Sequence, residues 1–262
     1  MKRIATIVAL ALAAAVAIVA HAQEAPRPAA AAPPEDPAAA ALLAEVRDRM
    51  LDRPFHAVGV LTVRRAKFER ELVLRLFVRD ATTSVARIEG PPREDGTAAL
   101  RRDGRVFLWL PKADLLLDLP PTMGTDRLFG SDFAMDDLLA LGGGGPGFAA
   151  RFGADLDVEG APCRRVLLLP RRSASALWGR IDVILTKDAP APRRMEFRNA
   201  RGDLVRTVDM AGATAASPLP LLWRAQTLRP RPSESELEIR FAERDPHVPD
   251  TFYTPAGLKE PR

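Results

Sequence analysis

The chain has 262 residues, 38 Lys and Arg against 34 Asp and Glu, a formal net charge of +4 and 47% hydrophobic residues. A chain of that size buries roughly 70% of its unfolded surface and folds without staples, and the single cysteine, Cys163, excludes an internal disulfide. The basic doublets Arg64-Arg65, Arg101-Arg102, Arg164-Arg165, Arg171-Arg172 and Arg193-Arg194 are scattered and only one Tyr is present, so the clustered basic face with aromatic platforms that nucleic acid requires is not expected.

At the amino terminus Lys2 and Arg3 precede an apolar run over residues 6–20 that ends in Ala20-His21-Ala22. A basic head, an apolar middle and an A-x-A site read as a signal peptide, residues 1–22, cleaved before Gln23. The rival reading, a retained anchor, is disfavoured because the run is shorter than the roughly 20 apolar residues of a span and consists mostly of alanine. Cleavage lowers the net charge from +4 by the two charges of Lys2 and Arg3 to +2. Export into the periplasm is the expected consequence. Residues 23–36, dominated by Ala and Pro, read as a tether, and a single domain is expected over 37–262.

Asp36-Pro37 suits a helix start, and Leu42, Leu43, Val46 and Met50 recur at helical spacing, so an amphipathic helix is predicted over 37–51. After Pro54 the period changes to two. Leu72, Leu74, Leu76 and Val78 alternate with Val73, Arg75, Phe77 and Arg79, the pattern of a strand with one buried face. Further strands are predicted at 58–63, at 85–88, across 98–110 folded around Asp103-Gly104, and at 154–158 and 164–169 around Glu159-Gly160. Others follow at 181–186, at 194–198 and 204–210 around Arg201-Gly202, and at 221–228 and 237–241. A second helix is predicted over 132–141, capped by Ser131 or Asp132. About eleven strands joined mostly by hairpins predict a mainly β fold with an antiparallel sheet, which must close into a barrel or have one side plugged by helices.

The residues of catalysis are sparse. Beyond the leader only His56 and His247 remain, each at a strand entrance or in a Pro-rich loop, so a nucleophile–His–acid arrangement is not expected. A zinc site needs three or four ligands at short spacing, and none is seen. Asp132, Asp136 and Asp137 suit the first turns of a helix better than acid–base work. The glycine run 142–145 lacks the Lys-Ser/Thr of a phosphate loop. The expectation is a protein that is not an enzyme and carries neither metal nor cofactor.

Trp109-Leu110-Pro111, then Leu128-Phe129-Gly130-Ser131-Asp132-Phe133 with Asp137-Leu138, resembles a segment of the LolA-like outer-membrane lipoprotein-sorting proteins. Gly160-Ala161-Pro162-Cys163, Arg193-Arg194-Met195-Glu196-Phe197, Gly202-Asp203-Leu204-Val205-Arg206-Thr207 and the closing Val248-Pro249-Asp250, Phe252 and Thr254 follow in the same order. The motif residues are Gly130, Ser131, Asp132, Phe133 and Asp137. The resemblance runs from about residue 40 to the end. It implies an unclosed antiparallel β-barrel with helices covering the open side and an apolar groove that receives acyl chains of a lipoprotein or lipid. It also implies a monomer in the periplasm, often found beside transporters of the resistance-nodulation-division type, with an inner-membrane transporter as candidate partner. This chain departs from the pattern at Ala134-Met135, at Leu115-Leu116-Leu117 and at the glycine run.

Strands of about nine residues span roughly 30 Å, comparable to a bilayer's hydrocarbon core, so a groove along them is long enough for an acyl chain. Leu72, Leu74, Leu76, Val78, Phe107, Trp109, Leu138 and Leu139 are the expected core or groove wall. The leading functional expectation is a carrier supporting lipoprotein sorting or lipid transport; the alternative is a binding or sensor module of an envelope complex that transports nothing.

Overall fold

A computed structural model describes residues 34–51, 53–120, 127–134, 137, 147–171, 178–214 and 219–260. The signal-peptide reading, most of the tether, Asp136, Leu138, Leu139 and the glycine run lie outside the described residues. Everything below concerns one unit, Pro33–Arg262.

Helix α1, Pro37–Leu51, has the extent the sequence predicts. Asp36 starts it: its Oδ1 accepts the Ala38 N–H at 2.9 Å and the Ala39 N–H at 3.4 Å, and Pro37 occupies the first turn, where no backbone donor is needed. Ala39, Leu43, Val46 and Met50 fall on one face and are buried. The Asp36 N–H also donates to Ala150 O at 2.8 Å and Glu35 pairs with Arg171 at 2.6 Å, so the last two residues of the predicted tether are fastened to the domain.

Among the described residues fourteen strands form one antiparallel sheet, against the about eleven expected. They are β1 (Phe55–Arg65), β2 (Phe68–Val78), β3 (Ser84–Gly90), β4 (Ala98–Arg102), β5 (Arg105–Leu110), β6 (Leu115–Leu119), β7 (Phe148–Phe152), β8 (Leu156–Val158), β9 (Ala161–Pro170), β10 (Arg180–Thr186), β11 (Pro192–Arg198), β12 (Leu204–Ala211), β13 (Leu222–Thr227) and β14 (Ser233–Arg244). The order is β6-β5-β4-β3-β2-β1-β14-β13-β12-β11-β10-β9-β7, with β8 beside β9. Among the described residues β6 and β7 end the sheet without pairing to each other, so it is an open half-barrel. β1 to β6 is one meander, β8 to β14 another with β7 added beside β9, and the β1–β14 ladder joins them. Where β14 bulges against β1, Gly59 approaches closely: a Cβ there would lie 2.6 Å from Glu238 O.

Register carries one face through the whole sheet. Leu72 opposes Leu61, Leu61 opposes Leu237, Leu237 opposes Trp223 and Trp223 opposes Met210. This inner face, with the buried side of α1 and Phe133, is the main hydrophobic core. The outer face of β2–β5 has its own smaller core, in which Phe77, Val85, Leu100 and Trp109 are covered by Phe252, Tyr253 and Leu258 near the carboxyl end. Arg87 donates to Leu258 O at 2.9 Å and Arg102 to Tyr253 O at 2.8 Å, fixing that strap.

The helix predicted to start at Asp132 does not start there. Residues 128–130 form a single 3-10 turn with Phe129 at φ +51° and Gly130 at φ +70°, and Ala134 makes an antiparallel bridge to Arg127. Instead of capping a helix, Asp132 is drawn into the sheet. Among the described residues no helix is long and apolar enough to cross a membrane.

Candidate functional site

Residues 127–134 and Asp137 are clamped to the inner face by charge. The Asp132 side chain is fully buried. It accepts hydrogen bonds from Arg65 Nη1 at 2.7 Å, Thr227 Oγ1 at 2.6 Å, Ser233 Oγ at 2.6 Å and Ser235 Oγ at 2.8 Å. Burial alone pushes its carboxyl up, but the hydrogen bonds from Ser233, Thr227 and Ser235 and the Arg65 charge outweigh it and hold the group below its ordinary value. Arg206 donates to the Asp132 carbonyl at 2.9 Å and grips both carboxylate oxygens of Asp137, one of them at 3.1 Å. Its guanidinium lies 3.9 Å from the Phe197 ring centroid, so the cation is seated on an aromatic floor as well as paired. Asp137 also accepts the Ala134 N–H at 2.9 Å. Arg65 and Arg70 donate to the carbonyls of Gly130 and Phe129, the two residues in left-handed conformation. Ser131 closes the turn locally, its Oγ donating to Leu128 O at 2.7 Å and accepting the Phe133 N–H at 3.1 Å.

Phe133 points from this clamp into a small apolar cavity of about 110 Å³. Leu76, Val78, Trp223, Leu237 and Ile239 of the sheet wall it, and Phe55 and Leu219 are shared with a second space. That second space is a cleft of about 1310 Å³ between the carboxyl half of α1, the β10–β11 turn and the ends of β1 and β14. Ala41, Ala44, Ala191 and Ala242 keep it wide. An apolar cavity of 150 Å³ accommodates benzene, so the smaller space holds only a few carbons as it stands, whereas the cleft exceeds the roughly 300–1,000 Å³ of ordinary ligand pockets.

The structure separates the residues the sequence grouped. Leu72, Leu74, Leu76 and Val78 lie together on the inner face, and Leu76 and Val78 reach the cavity. Phe107 and Trp109 belong to the outer core instead, because the pairings Phe77–Val85, Val85–Leu100 and Leu100–Phe107 keep them on the side away from Leu76. Leu138 and Leu139 lie outside the described residues. His56 sits on the outer face, stacked on Phe77 at 4.8 Å, and its pKa is lowered by burial first and the Arg75 charge second. His247 is exposed. Among the described residues no group of three or more His, Cys, Asp or Glu is placed to hold a metal ion. Arg65, Arg206, Thr227, Ser233 and Ser235 were missed from sequence. Arg206 stands within a quoted motif, but only its burial marks its role.

Solved structures share this open antiparallel half-barrel. A domain described as an outer membrane lipoprotein-sorting protein from Vibrio parahaemolyticus superposes with a TM-score of 0.73 at 16% identity, covering 83% of this chain and 97% of its own. A DUF1329 family protein from Desulfovibrio piger gives 0.73 at 14% identity over 85% and 98%. A LolA superfamily protein from Nitrosomonas europaea gives 0.68 at 14% identity over 82% and 97%. No curated protein sequence matches the chain. A family model described as "Uncharacterized protein" matches residues 80–260, and the chain belongs to that family.

Proposed function

We propose that this protein is an exported, non-catalytic carrier that takes an acyl chain of a lipoprotein or lipid against the inner face of its half-barrel and supports outer-membrane lipoprotein sorting or lipid transport. The observation that carries the reading is the apolar inner face, whose cavity shares Phe55 and Leu219 with a cleft large enough for a ligand. Each buried methylene is worth roughly 0.8 kcal/mol, so a sixteen-carbon chain represents on the order of 12 kcal/mol before the costs of opening the core. Residues 1–22 serve as a cleaved leader and 23–34 as a tether, leaving a monomer free in the periplasm. Likeness of fold to a lipoprotein-sorting domain supports the same reading.

Mass spectrometry of organic extracts from protein purified without detergent tests it. Stoichiometric acyl lipid, and transfer of a labelled lipid from donor to acceptor vesicles, are the expected results. An empty groove that takes up no labelled lipid under several mild conditions would sink the carrier. Retention of lipid without transfer between vesicles would favour the non-transporting sensor module.

A further inference from the structure

The hairpin tips at the two ends of the sheet differ in charge. At the end where Arg64 opposes Glu234, three tips stand side by side: residues 65–68 between β1 and β2, 228–232 between β13 and β14, and 199–203 between β11 and β12. The Leu228 N–H donates to Val205 O at 2.8 Å, which ties the second tip to the start of β12. Lys67, Arg201, Arg229 and Arg231 are exposed on these tips, and among the described residues none of their side chains is hydrogen-bonded or ion-paired. The one acid on the three tips, Asp203, accepts the Asn199 side-chain N–H at 3.1 Å. Flanking turns at that end carry Arg93 with Asp95 and Lys112 with Asp114, so the positive excess is confined to the centre. At the opposite end the cations beside the tips are paired: Arg79 with Asp80 at 3.0 Å, Lys187 with Asp155 at 2.7 Å and Arg193 with Glu159.

Two large apolar side chains adjoin the free cations. Phe68 is 55% exposed next to Lys67, and Leu228 is 38% exposed next to Arg229. Scattered exposed apolar residues need no explanation, but these two stand on neighbouring tips of one basic end. An apolar side chain beside a cation matches the boundary of a bilayer, where the apolar group enters the acyl region and the cation stays with the phosphates. Pro230 and Pro232 alternate with the two arginines. They offer no backbone N–H, so this tip is a poor template for a peptide adding as a strand.

We infer that the three tips form a docking surface for an anionic bilayer, with Phe68 and Leu228 entering the head-group boundary and Lys67, Arg201, Arg229 and Arg231 meeting lipid phosphates. Binding of this kind is reversible and weakened by salt. It turns the Asp132 clamp toward the membrane and the cleft away from it. It holds whether or not the inner face carries a ligand.

Co-sedimentation with vesicles tests the docking surface. The chain from Gln23 onward is used, which keeps the whole unit Pro33–Arg262 and omits the apolar run that would itself enter lipid. Vesicles are phosphatidylcholine alone, or phosphatidylcholine and phosphatidylglycerol in equal parts, at low and at physiological salt. Binding is expected to the mixed vesicles only, weakening as salt rises. Lys67→Gln with Arg229→Gln should lower it roughly tenfold or more. Arg151→Gln with Arg240→Gln, the same charge change on exposed strand positions, should leave it unchanged. Phe68→Ser should weaken binding roughly fivefold, and Phe68→Trp should keep it. All these side chains are exposed, so urea unfolding should not change; where a variant does not fold, the lipid and salt dependence of the native chain decide. No binding to mixed vesicles at low salt, equal binding to both vesicle types, equal loss in the two double variants, or full binding by Phe68→Ser overturns the inference. Capture by immobilised poly-glutamate that depends on Lys67 and Arg229, without vesicle binding, overturns it in favour of an acidic protein.

Discussion

Helix α1 and the segment made of residues 127–134 with Asp137 both lie on the inner face of the sheet, but α1 meets it through Ala39, Leu43, Val46 and Met50, whereas the segment meets it through Asp132, Asp137 and backbone carbonyls. The apolar contacts of α1 are non-directional and can be exchanged for other apolar groups. The contacts of the segment are directional, buried and mutually dependent, so they cannot be released one at a time. Asp132 also draws on both meanders, Arg65 from the first and Thr227, Ser233 and Ser235 from the second. Of the two covers, the segment is thus the one held by directional, buried contacts.

The largest way to break this contrast is Asp132→Ala, which leaves Arg65 and three hydroxyls without their shared acceptor. We expect a loss of about 3–5 kcal/mol in urea unfolding; a loss below 1 kcal/mol would mean the clamp holds little. Acid sharpens the same point. Because the folded pKa of Asp132 is depressed, its contribution is present above the unfolded value of about 4 and is lost as pH falls through the folded value. Stability measured from pH 6 downward should therefore fall more steeply in the native chain than in Asp132→Asn, and identical acid limbs would contradict this. On the other cover, Leu43→Ala should cost about 2–4 kcal/mol as a cavity, with no dependence on pH over that range. Smallest is Asp36→Ala, about 1 kcal/mol through loss of the α1 cap, read as faster amide exchange in the first turn of α1 alone.

How much of this was legible in the sequence follows from the range of each interaction. α1 was, because its cap and its apolar spacing are local. The hairpins at Asp103-Gly104 and Glu159-Gly160 were, because both residues of each turn take positive φ, as the pattern requires. β6 was not: Leu115–Leu119 shows no alternation and is entered through Asp114 at φ +46° with no glycine to announce the turn. Nor was β7, five residues with two alanines that favour no period. The Gly130-Ser131-Asp132-Phe133 block was visible as a motif and misread as a helix start, since an acid after a serine looks the same from sequence whether it caps a helix or plugs a sheet. Its partners lie 67 to 103 residues away in the chain, and only the strand register brings them together. The same register sends Phe107 and Trp109 outward, a parity that no single strand pattern could settle across β3 and β4.

The ladder between β1 and β14 has a consequence for how the chain is made. Each meander is built from neighbouring hairpins and can form as its residues appear, but the middle of the sheet pairs Phe55 with Arg244 and Arg64 with Glu234. A chain produced from its amino end therefore waits with the long edges of β1 and β13 bare until its last strand arrives to seal both, and during that interval those edges are its point of greatest exposure to wrong partners.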